Sequence, residues 1–209
     1  MPPRRRLTPD GRRAQLLEVG AELFAARPYD EVLMEGVAEA AGVSRALLYR
    51  HFASKRDLFV AIYQQVADRL LAASRFDPAD SLQEQLVEGL DAHIAYFAAN
   101  RNTVIAANRT LAGDRLVQTV IAGELDALRE RLLDALAGAH PSVSEPGRRA
   151  AASQVIKSWL VFVQVLCVDW LDEETCTRSE LRDVAIGALL GGLGPLLAAA
   201  PEAVREAAG

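Results

Sequence analysis

The sequence predicts an all-α chain of about nine helices, and three observations carry that expectation. Alanine and leucine dominate while aromatic residues make up only 6%, a balance that favours helix over strand. No segment alternates apolar and polar residues for long enough to form a half-buried strand. Helix start and stop signals recur along the chain, with apolar residues returning between them at three- and four-residue spacing. The 209 residues suit one medium domain or a small domain fused to a larger one.

Thr8-Pro9 opens the first helix as a hydroxyl N-cap followed by proline at the first helical position. Leu16, Gly20, Leu23 and Phe24 share a face, and Pro28 stops the helix. A short helix is expected over 33–41 with Met34, Val37, Ala38 and Ala41 inward. Gly42 suits the left-handed residue that ends it, and Val43 is expected as a buried plug in the turn. Ser44 caps a third helix to about His51 that turns Leu48 and Phe52 inward together. Ser54 and Asp57 then form a capping box ahead of Leu58, Phe59, Ile62 and Val66. This fourth helix is expected to reach Arg75, where Phe76-Asp77-Pro78 breaks it. Longer helices follow near 80–100, 102–111, 114–138, 146–171 and 178–198, with the clearest flexible loop at 138–147, GAHPSVSEPG.

Charge is uneven. Residues 1–56 hold ten Lys/Arg and seven Asp/Glu, a net +3. The remainder holds 13 basic and 21 acidic residues, a net −8 within a total of −5. A basic head on an acidic body fits a nucleic-acid-binding piece joined to a part that stays off the nucleic acid. Domains are therefore expected at 1–56 and 57–209. The basic N-terminus has no apolar segment behind it, so no secretory signal is expected. The apolar run over 185–200 is short for a bilayer and reads as a buried or interface helix, which excludes a membrane partner. Cys167 and Cys176 form neither a metal pattern nor a disulfide framework. A cytoplasmic protein without cofactor is expected.

Residues 37–59, VAEAAGVSRALLYRHFASKRDLF, have helix-turn-helix spacing: a short helix, the turn Gly42-Val43-Ser44, then a second short helix. This stretch resembles the DNA-binding domain of TetR-family transcriptional regulators. The agreement runs through Ala38, Ala41, Gly42, Val43, Ser44, Leu48, Tyr49, His51, Phe52, Ser54, Lys55 and Leu58. The resemblance implies a three-helix DNA-binding head over a larger helical ligand-binding and dimerisation bundle. It also implies residue roles. Ser44, Arg45, Ala46, Leu47 and Arg50 would lie at the DNA, with Arg45 reaching guanine O6/N7 and Leu47 a thymine methyl. Tyr49, His51 and Lys55 would contact phosphate, and Arg4, Arg5 and Arg6 would add a basic arm. The chain departs from the family pattern in three places. Val32 and Leu33 replace a frequent hydroxyl ahead of the second helix. Glu35 stands where some members are basic and would need a cationic neighbour such as Arg50. Leu47 stands where a smaller residue is common.

The resemblance implies further partners: a double-stranded DNA operator, a second copy of the chain bound through helices near 146–171 and 178–198, and an unidentified small-molecule effector. Small residues at Ala185, Gly187, Ala188, Gly191, Gly192 and Gly194 would let helices approach closely. Candidate effector-lining residues are His93, Tyr96, Phe97, Asn100 and Asn108, with Trp159, Phe162, Val163 and Leu166 on the long helix; they are mainly apolar. The expected function is a repressor released from its operator when a small, largely apolar molecule occupies the bundle. Regulation by thiol oxidation or by a protein partner is the alternative, and a helical enzyme the remote one. No GxSxG, P-loop, dinucleotide fingerprint or HExxH is present, so no catalytic residue is assigned.

Overall fold

The computed structural model describes residues 8–73 and 81–198. Among the described residues it holds nine α-helices and no strand, as the sequence predicts. These are α1 (Pro9–Ala26), α2 (Met34–Ala40), α3 (Arg45–His51), α4 (Lys55–Ala73), α5 (Leu82–Ala99), α6 (Arg101–Ile105), α7 (Arg115–Ala139), α8 (Pro146–Glu173) and α9 (Arg178–Leu197). The arginine arm at residues 4–6, the expected helix end at Arg75 and the break at Phe76-Asp77-Pro78 lie outside the described residues. The chain divides into two compact units: Met1–Ala73 with Tyr96–Glu124, and Ser74–Ala95 with Leu125–Gly209. The expected head lies wholly within the first.

In the first unit the cap of α1 forms as expected: the Gly11 N–H donates to Thr8 Oγ1 at 3.2 Å, and Pro9 opens the helix. Leu16, Phe24, Val37, Leu48, Leu58 and Phe59 make the core, none more than 1% exposed. Burial of each such side chain is worth ~1.5–3 kcal/mol. The Phe24 and Phe59 rings meet edge to face at 5.1 Å, and Tyr29 and Phe59 do so at 5.3 Å. Helix α1 packs on α2, α4 and α6, and the Asn102 amide donates to the Ala25 carbonyl at 2.9 Å. The single helix expected over 102–111 is α-helical only to Ile105 and then widens into a π turn over Ala106–Thr110.

In the second unit α8 and α9 pack together, and Trp159 Nε1–H donates to the Ala185 carbonyl at 2.7 Å. A capping box starts α9: Glu180 N–H donates to Thr177 Oγ1, and Thr177 N–H donates to the Glu180 carboxylate. Within the single chain the small residues of α9 are used unevenly. A Cβ on Gly192 would stand 2.9 Å from Val155 Cγ1, so the helices do approach closely there, whereas Gly187, Gly191 and Gly194 face open space within the chain. The loop at 138–147 is more ordered than expected. It folds a 3₁₀ turn over Pro141–Ser144 that buries Val143 and packs on α8 and α9. Among the described residues α8, rather than the run over 185–200, is the one helix long and apolar enough to cross a bilayer by length and composition.

Candidate nucleic-acid interface

The turn between α2 and α3 is built by its backbone. Gly42 has φ +64°, its N–H donates to the Glu39 carbonyl at 2.9 Å, and the Val43 N–H donates to the Ala38 carbonyl at 2.9 Å. These paired bonds satisfy the last carbonyls of α2 and reverse the chain. Val43 is half-buried rather than the buried plug expected, so hydrogen bonding does more here than its side chain. Ser44 then caps α3, accepting the Leu47 N–H on Oγ at 3.3 Å. Helix α2 lacks such a cap: Leu33 occupies the N-cap with no side-chain bond and is 62% exposed.

Helix α3 has two faces. Leu48 and Phe52 turn inward and are buried. Arg45, Ala46, Tyr49 and Arg50 are exposed, while Leu47 and His51 are half-buried beside them. The Arg13 guanidinium lies 5.1 Å from the Phe52 ring centroid and closes the edge of the core. The cationic neighbour of Glu35 is Arg45, whose Nη2 meets its carboxylate, and not Arg50. Lys55, assigned to phosphate by resemblance, is half-buried and turned to the α1–α2 connection. Its Nζ donates to the Tyr29 carbonyl at 2.9 Å and sits 4.3 Å from the centre of the Tyr29 ring.

The effector-lining candidates divide between the two units. Tyr96, Phe97, Asn100 and Asn108 belong to the first, and His93, Trp159, Phe162, Val163 and Leu166 to the second. Phe97, Trp159 and Val163 are buried, whereas Phe162 is 40% exposed. Asn100 Nδ2 donates to the Tyr96 carbonyl at 3.0 Å and Asn108 Nδ2 to the Val104 carbonyl at 2.9 Å. Leu166 is half-buried. His93 keeps some exposed surface, but its Nε2 is sealed from solvent, and burial drops the imidazole to about 4. A shallow groove of about 370 Å³ runs along α8 and α9, lined by Gln154, Val155, Ser158, Trp159, Phe162 and Ala188.

Sequence reasoning missed a polar group in the first unit. Tyr63 is 5% exposed, hydrogen-bonds Asn108, and feels the charge of Glu124, as does Tyr96. Burial raises Glu124 to about 7 and, with Glu124 adding to it, Tyr96 to about 12. Tyr63 was findable, one helical turn after the core residue Phe59. No sequence signal marks the burial of Glu124. Burial raises the Cys167 thiol to about 12, and Cys176 is half-buried, its carbonyl accepting Trp170 Nε1–H at 2.8 Å.

Comparison with known proteins falls on the same segment. Residues 16–62 match the family model described as bacterial regulatory proteins, tetR family. The chain is 43% identical over 70 residues to the HTH-type transcriptional activator FasR of Mycolicibacterium smegmatis, covering 34% of this chain and 32% of that protein. It is 32% identical over 122 residues to the nucleoid occlusion factor SlmA of Marinobacter nauticus, covering 57% and 58%. The matched stretches thus span less than two thirds of either relative. A tetR-family transcriptional regulator from Streptomyces coelicolor shares the fold, with a TM-score of 0.80 at 24% identity, over 91% of this chain and 83% of that one. The family match covers α2, the Gly42 turn and α3, and the shared fold extends through the helices that follow: over residues 16–62 the chain is similar to the bacterial regulatory proteins of the tetR family.

Proposed function

We propose that the protein is a DNA-binding transcriptional repressor. It acts as a homodimer that sets α3 of each head, residues 1–56, into a major groove of its operator. The observation that carries this reading is the two-faced α3. Its inner face is locked by Leu48 and Phe52, and its outer face offers Arg45, Ala46, Tyr49 and Arg50 in a capped, fixed frame. Arg45 and Leu47 read base edges, Ser44, Tyr49, Arg50 and His51 meet the backbone, and Lys55 pins the frame from behind.

Two further observations support the regulatory half, residues 57–209. Val161, Phe162 and Val165 of α8 and Val184 and Leu190 of α9 are large apolar residues left exposed, as a helix-pair interface between two copies requires. Phe162 is better assigned to that face than to an effector site. The polar group Tyr63, Tyr96, Asn108 and Glu124 includes a residue of the π turn, a feature frequent at functional sites. A small, largely apolar effector held near it biases α4, which carries Tyr63, and so shifts the population of DNA-competent heads. The sealed Cys167 disfavours thiol oxidation as the signal. Cytoplasmic residence follows from this role.

The test is binding to the gene's own upstream intergenic DNA at two salt concentrations, with Tyr49→Ala alongside. Tight, salt-sensitive binding that the variant loses is the expected result. Binding retained by Tyr49→Ala would remove α3 from the interface.

A further inference from the structure

The ion pair between Glu35 and Arg45 is not explained by stability. Both side chains are well exposed, 46% and 63%, and exposed pairs contribute little to folding. Arg45 also stands at the first position of α3, where the helix dipole disfavours a cation. Glu35, in the first turn of α2, would gain its own dipole benefit without reaching across to α3. The pair nevertheless has a fixed frame. The Gly42 hydrogen bonds and the Ser44 cap hold α2 and α3 together, so the Glu35 carboxylate is anchored beside the base-reading guanidinium.

A carboxylate there does two things. It repels phosphate, which weakens sequence-independent binding. It also occupies part of the guanidinium, with Nη2 against Oε1, and a fixed anion at that cation disfavours a second anion there, whereas the uncharged O6 and N7 edge of guanine approaches without that repulsion. We infer that Glu35 is a specificity-determining residue, which holds Arg45 off phosphate and makes guanine its preferred exchange partner. This rests on the DNA-binding reading above.

The experiment uses the full chain and a duplex selected from random DNA, compared with two others: the same duplex with the guanines of each half-site replaced singly, and mixed-sequence DNA. Wild type, Glu35→Gln, Arg45→Ala and the double variant are measured over a salt series, with thermal melts to confirm folding. Glu35→Gln is expected to bind mixed-sequence DNA about tenfold tighter, with a log–log salt slope steeper by about one. It should also lose about tenfold in discrimination at one guanine. Arg45→Ala should lose discrimination at that same guanine, and the double variant should lose no more. Unchanged discrimination in Glu35→Gln, or loss at a guanine that Arg45→Ala does not affect, overturns the inference while leaving DNA binding intact. A wild-type chain that selects no sequence overturns both.

Discussion

Arg56, in the first turn of α4, and Asp114, just ahead of α7, stand 58 positions apart and meet through paired hydrogen bonds, with Nη2 donating to Oδ1 at 3.1 Å. The same Oδ1 accepts the N–H groups of Leu116 and Val117, at 2.9 and 3.2 Å, so one carboxylate caps α7 and holds α4. The Arg56 bond, with help from those backbone donors, keeps the Asp114 carboxyl below its ordinary range. Its stabilisation is therefore present above the ordinary aspartate value and fades as pH falls through the lowered one. Asp114→Asn keeps a capping side chain and loses the charge. It should lower the melting temperature at low salt, and the deficit should shrink in concentrated NaCl. A deficit indifferent to salt would mean that the cap alone matters.

Gly42 is the backbone position on which the geometry of α3 depends. At φ +64° a Cβ is strained even though open space surrounds it. Gly42→Ala should cost about 1–2 kcal/mol of stability and weaken operator binding, because the tilt of α3 changes with the turn. The check is a denaturant titration beside a DNA titration. Equal stability with full DNA affinity would show that the turn has another low-energy form.

Most of the head was legible from sequence because local chemistry fixes it. The Thr8 and Ser44 caps, the Gly42 stop and the inward pair Leu48 and Phe52 each act within a few residues, and each forms as expected. What was not legible depends on partners distant in sequence. Glu35 meets Arg45 rather than Arg50 because the turn sets which guanidinium is near. Lys55 turns to the Tyr29 carbonyl, and Asp114 meets Arg56, through packing that no periodicity encodes. The effector-lining candidates shared helical spacing, yet spacing gives a face and not a neighbour. They fall in two compact units, and Tyr63 and Glu124 joined the polar group unannounced.

Glu124 and His93 give the stability a readable pH profile. Burial raises Glu124 to about 7, so below its ordinary value neither state pays for its charge. Between the two values the unfolded chain ionises first, and stability falls as pH rises. By pH 8 the cost is on the order of 2–3 kcal/mol. Burial of His93, lowered to about 4, acts on the acid side: stability present above the ordinary histidine value is lost as pH falls toward 4. Glu124→Gln should raise the melting temperature at pH 8 and leave it nearly unchanged at pH 4.5. A variant that stabilises equally at both would remove ionisation of Glu124 as the cause.

The exposed apolar face of α8 and α9 makes the last prediction. Phe162 and Val165 on α8 and Val184 on α9 are 40%, 54% and 54% exposed in the single chain. A charge placed on a face that two copies bury would have to be desolvated without a partner, at a cost of several kcal/mol per ion. Val165→Glu combined with Val184→Glu should therefore give a monomer by light scattering, with the helical circular dichroism signal of the folded chain retained. Two linked heads bind an operator with an avidity that one head lacks, so the monomer should lose about a hundredfold or more in operator affinity. Its binding to mixed-sequence DNA, which needs no fixed spacing between heads, should fall far less. A double variant that remains a dimer would move the interface off this face, and a monomer with full operator affinity would detach DNA recognition from dimerisation.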